Sequence, residues 1–166
     1  KTAYQTKPLN ARQRTTVLLL AVYLILQLTI PLRHFLYPGN VNWTEEGHRF
    51  AWHMKLRDKN AQAQFWATDP IKQMTWEIPL EEHLTDRQAR KMAGRPDMIL
   101  QFSHKIAAQM RQEGQEQVEI RAIIHASLNG RERQLLIDPE VDLTKQSPTW
   151  WPASWIMPLE EPLVIR

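Results

Sequence analysis

The stretch "TTVLLLAVYLILQLTIPL", Thr15 to Leu32, contains no charged side chain, and no other feature of the sequence constrains the fold so strongly. Its 18 residues at about 1.5 Å each reach roughly 27 Å, close to the ~30 Å hydrocarbon core of a bilayer, which predicts a membrane-spanning helix. "RHFLYP" follows, and Arg33, His34 and Tyr37 read as interface residues that meet lipid headgroups. A cleaved secretory signal would have a shorter apolar core and a small-x-small cleavage site, whereas Pro31, Leu32, Arg33 and His34 follow here. Lys1, Lys7, Arg12 and Arg14 precede the run without any acid and place that end in the cytoplasm. The expected organisation is a basic cytoplasmic segment over residues 1–14, a transmembrane helix over 15–36 and an extracytoplasmic α+β domain over 37–166. That domain would be periplasmic in a bacterium or lumenal in a eukaryote.

Beyond the span the hydrophobic period shortens. Phe50, Trp52, Met54 and Leu56 alternate with Arg49, His53, Lys55 and Arg57, the pattern of a half-buried strand. "DKN" at 58–60 reads as a turn into a second strand through Ala61, Ala63, Phe65 and Ala67, which Asp69-Pro70 stops; 71–79 reads as a third. Thr85 and Gln88 form a capping box for a short helix ended by Gly94. Pro96 suits the first position of a longer amphipathic helix whose stripe is Ile99, Phe102, Ile106 and Met110. Asn129-Gly130 predicts a two-residue hairpin pairing Ile124 with Leu135 and Ala122 with Ile137. The expected core sets Phe50, Trp52 and Met54 against Ile99, Phe102 and Ile106. The Trp- and Pro-rich tail from Thr144 should wrap the domain as extended chain.

Side-chain chemistry by itself points to no catalytic residue. With no Cys, disulfides and thiolate sites are excluded. His48 and His53 would lie on opposite faces of a strand, so no metal site is expected. The net charge of +3 is spread among 18 acidic residues, unlike the concentrated patch that nucleic acid requires. Glu45 and Glu46 read as solvated turn carboxylates, and Asp138 and Asp142 as acceptors for turn amides. Trp43, Trp52 and Trp66 could line a pocket, although interfacial belt or core is the commoner use of such residues.

"QLTIPLRHFLYPGNVNW" followed by "FAWHMKLRD" resembles the C-terminal part of the vitamin K-dependent γ-glutamyl carboxylase family, whose membrane portion is the HTTM domain. "PDMILQFSHKIA", "IDPEVDL" and "SWIMPL" extend the resemblance, in order, over roughly residues 17–163. It implies an integral membrane enzyme that oxidises a reduced quinone, vitamin K or another, with O₂. The resulting strong base removes the γ-proton of a Glu side chain so that CO₂ can add. The family's catalytic Lys and His lie on membrane helices N-terminal to the matched region, so this chain would be the last membrane helix plus the exported domain. Implied partners are membrane lipid, the upstream helices of the same protein and a Glu-containing protein or peptide. By the same resemblance "NWTEEGHRFAWHM" engages the substrate Glu, which makes Trp43, Thr44, Trp52 and His53 candidate contacts. Arg49 and Arg57 join them on the charged side of the alternation. Glu45 and Glu46 depart from the more apolar animal pattern and would repel an anionic substrate. The lack of Cys and the short tail point to a bacterial homologue. The competing reading is a membrane-tethered binding or scaffold domain without carboxylase activity.

Overall fold

The structure is a computed structural model that describes residues 10–52 and 57–160. Asn10 opens helix α1 (Ala11–Leu32) with a capping box: its side chain accepts from the Gln13 amide at 2.8 Å and its own amide donates to the Gln13 side chain at 3.0 Å. The helix therefore begins four residues before the charge-free run and includes Arg12 and Arg14. With the 3₁₀ turn at Arg33–Leu36 it is long and apolar enough to cross a membrane. The side chains from Val17 to Leu28 stay exposed, so the domain does not use them as core.

The part that follows α1 holds an antiparallel sheet in the order β2-β1-β3-β4, formed by β1 (Lys59–Asp69), β2 (Met74–Ile78), β3 (Glu119–Leu128) and β4 (Gln134–Leu135). Between β2 and β3 run the helices α3 (Asp86–Ala93) and α4 (Pro96–Gln112). Both helix starts are as the sequence predicts, with Thr85 and Gln88 in a capping box and Pro96 in the first turn of α4. Ile99, Phe102 and Ile106 bury the predicted stripe. The β1–β2 hairpin turns at Pro70–Gln73, where the Asp69 carboxylate accepts from the amides of Ile71 and Lys72. Asp138 and Asp142 likewise accept from turn amides, those of Glu140 and Thr144.

Among the described residues the first predicted strand does not form. Residues 41–44 form a helical turn, α2 (Val41–Thr44), and Phe50 has a φ of 64°. Phe50 and Trp52 are 78% and 66% exposed, while Met54 lies outside the described residues. Lys59 and Asn60, expected in the turn, instead begin β1. The physical reason lies in the backbone: Glu45, Gly47 and Phe50 all have positive φ, which turns the chain where a strand needs it extended. Phe65 takes the place expected of Phe50 in the core, its ring edge-on to Phe102 at 4.9 Å.

The second hairpin forms one residue out of the predicted register. His125 faces Leu135, and Leu136 donates its amide to the Ile124 carbonyl at 2.9 Å. The slip turns Leu136 fully into the core and leaves Leu135 half-buried, because adjacent strand residues face opposite sides of a sheet. Ile137 then bridges to Ile156, so the tail does pack along the domain.

Candidate functional site

The segment joining α1 to β1 is shaped by backbone conformations that the side-chain pattern does not reveal. Asn40 caps α2 by accepting from the Asn42 amide at 2.9 Å, and Glu45 ends it in the left-handed region at φ 63°. Gly47, at φ 66°, passes so close to the helix end that a Cβ there would lie 2.8 Å from both His34 Cα and the Tyr37 ring. Only glycine fits without displacing backbone.

This path drives Glu45 inward. Its carboxylate lies 2.7 Å from Arg57 and 3.5 Å from Lys59, and the Glu45 and Lys59 side chains are only 10% and 5% exposed. The Lys59 ammonium also donates to the Trp43 carbonyl and, at 2.9 Å, to the Gly94 carbonyl, and it lies 5.5 Å from the centre of the Trp43 ring. One ammonium thus ties α2, β1 and the end of α3 together. Burial pulls its pKa from the ordinary 10.5 to about 8, the Glu45 carboxylate holds it up, and Arg57 and Arg95 push it down. Lys59 remains the charged partner of Glu45 at neutral pH.

The tail seals the other side of the segment. Glu46 accepts from the Ala153 amide at 2.7 Å, the Trp43 indole donates to the Met157 carbonyl at 2.8 Å, and the Tyr37 hydroxyl donates to the Trp150 carbonyl at 2.6 Å. Burial pushes the Glu46 carboxyl above its ordinary range, and the Ala153 amide pulls it back. Neither acid is the solvated turn carboxylate that the sequence suggests. The repulsion expected from Glu45 is neutralised inside the fold by two cations.

The six candidate contacts therefore separate. Trp43 and Thr44 are buried beneath the segment, and Arg57 is committed to Glu45. Arg49 and Trp52 reach the surface, and His53 lies outside the described residues. The Arg49 side chain is 72% exposed and pairs at 2.6 Å with Asp97, itself exposed at the start of α4. The sequence placed Lys59 in a turn and Gly94 at a helix end, but showed neither as a partner in this cluster. The available signal was a lone Gly between Glu46 and His48, a position suited to positive φ, but nothing local couples Glu45 to Gly94.

A cleft of about 350 Å³ is lined by Trp76, Ile78, Pro79, His83, Ile106 and Met110, with polar residues beside them. It draws no residue from α1 or the 41–58 segment, and Glu82 and Glu113 stand in its wall. A quinone ring needs an enclosed, mostly apolar slot. These residues do not fit one.

An apolar helix of membrane-spanning length leading into an antiparallel sheet backed by two helices, with the junction closed by the returning tail, defines a juxtamembrane α+β domain. The chain belongs to the family described as vitamin K-dependent gamma-carboxylase, lumenal domain, which matches residues 12–162 and so takes in both α1 and the tail. No solved structure matches it.

Proposed function

We propose that this chain is the substrate-presenting part of a γ-carboxylase-like membrane enzyme, holding a Glu-containing peptide toward a reduced-quinone site formed by upstream helices. In this reading α1 spans the membrane with the domain on the non-cytoplasmic side, the orientation its basic N-terminal flank favours. Family membership supports the assignment. The observation that carries it here is Arg49: an exposed guanidinium whose partner Asp97 is also exposed. Such a pair is worth only about 0.2–1 kcal/mol, so a substrate carboxylate can displace Asp97 at little cost. Trp52 offers an open indole three residues along, and His53 adjoins it in sequence. Trp43, Thr44 and Arg57 act beneath this surface by fixing the loop's path.

The reaction's difficulty is the weak acidity of a carbon next to a carboxylate. A cation placed on that carboxylate offsets charge as the γ-proton leaves. Loss of one charge-assisted contact removes about 1.5–3 kcal/mol, roughly tenfold or more in rate. Quinone-dependent CO₂ incorporation into a Glu peptide by the full-length protein tests this. Arg49→Ala and His53→Ala should lower turnover about tenfold with melting unchanged, whereas Asp97→Asn, which releases Arg49, should not lower it. Equal loss of folded protein in the first two would assign them a structural role. Peptide binding without any CO₂ incorporation by the wild type would favour the scaffold reading.

A further inference from the structure

The tail's tryptophan pair carries a second inference. Trp150 and Trp151 are 80% and 79% exposed, although indoles are costly to leave in water, and Trp155 a few residues on is buried. Trp150 is held at the end of α1, where its carbonyl accepts the Tyr37 hydroxyl and its ring lies 5.7 Å from the Arg33 guanidinium. In the same turn Phe35 and Leu36 are 76% and 82% exposed. Four large apolar side chains from two distant parts of the chain thus share one end of the apolar helix, with Arg33 among them.

We infer that Trp150 and Trp151 form a second membrane anchor, an interfacial foot set in the headgroup region beside the end of α1. Three features select lipid as the occupant. The patch continues directly from a helix of spanning length, so a bilayer that receives α1 reaches Arg33 and Tyr37 at its surface. Indole with arginine is the side-chain chemistry of that surface, an apolar body with a polar edge beside a cation that meets lipid phosphate. Pro148 and Pro152 flank the pair and restrict its backbone. The foot fixes the domain's tilt over the membrane, because α1 alone would leave it free to swivel. It rests on the reading of α1 as a span, and the experiment separates the two.

The sequence has no cysteine, so single reporters can be introduced cleanly. Leu24→Cys in mid-helix, Trp151→Cys in the foot and Lys72→Cys in the β1–β2 turn each receive a nitroxide, with the full chain in phosphatidylcholine vesicles containing phosphatidylglycerol. Lys72 lies at the opposite end of β1 from Lys59, roughly 30 Å away at about 3.3 Å per residue. Collision with O₂ relative to a water-soluble nickel chelate reports depth. The expected order is Leu24 deepest, Trp151 intermediate and Lys72 in water. A label at position 151 that behaves like that at 72 overturns the foot and leaves the span intact. A label at 151 shielded from both reagents also overturns it, because protein then covers the patch. A water-exposed label at 24 overturns both.

Discussion

Replacing Glu45 by Gln tests whether the buried charge cluster locks the segment between α1 and the sheet. The substitution keeps the side chain's shape but leaves Arg57, 2.7 Å away, and Lys59, 3.5 Å away, with no anion between them. Breaking a buried pair costs about 3–5 kcal/mol, and we expect the lower end, because the Gln carbonyl still accepts one hydrogen bond. The loss should depend on pH in a diagnostic way. Lys59 titrates at about 8 in the folded protein and near 10.5 when exposed, so between these values the unfolded chain holds more protons and stability rises with pH. This contribution is lost as pH falls through about 8. Glu45 is what holds the Lys59 value up; without it the folded pKa drops further, and the added penalty falls on the low-pH side. The deficit should be about 3 kcal/mol at pH 6 and should shrink to about half above pH 9, where only the uncompensated Arg57 remains. Urea unfolding in detergent, followed by the fluorescence of buried Trp43 and Trp155, measures it. Far-UV circular dichroism would under-report, since α1 keeps its backbone bonds in the micelle. A loss below about 1 kcal/mol at pH 6, or an equal loss at both pH values, would refute the buried cluster.

Three further outcomes follow from the same geometry. Phe102→Ala, removing the ring that meets Phe65 at 4.9 Å, should cost about 3–5 kcal/mol in the urea assay, and a change under about 1 kcal/mol would place it outside the core. Gly47→Ala should lower stability by about 1–3 kcal/mol, because it combines a φ of 66° with a Cβ 2.8 Å from His34 Cα; wild-type melting would mean the loop is not clamped there. Trp43→Phe removes the donor to the Met157 carbonyl, so about 1 kcal/mol should be lost and the tail should be cut faster in limited proteolysis; an unchanged cutting rate would show that the indole does not hold the tail.

The parts of this protein legible in its sequence are those determined within a few residues. The uncharged run needs only its length to announce a helix able to span a membrane, although the Asn10 capping box extends that helix four residues upstream. Thr85 with Gln88, Pro96, and the stripe of Ile99, Phe102 and Ile106 each act within two or three turns of their own helix, and all lie where local rules put them. The family could be read from short stretches spread along the chain, and the family match covers residues 12–162. The 41–58 segment could not be read in this way. Phe50 and Trp52 alternate with charges as a strand would, but the left-handed backbone at Glu45, Gly47 and Phe50 turns the chain, and those turns are fixed by what packs around them. Asn129-Gly130 marked the turn, but the two-residue loop it suggested puts the register one residue off, and the choice of Leu136 over Leu135 for the core was decided by packing. Glu45 found its cations 12 and 14 residues away, and Lys59 a carbonyl on Gly94, through contacts that arise only once the helices and sheet have docked. Local propensity acts over a turn or a strand, whereas burial of a charge is settled by everything that surrounds it, and for this loop the surroundings come from α2, β1, α3 and the tail together.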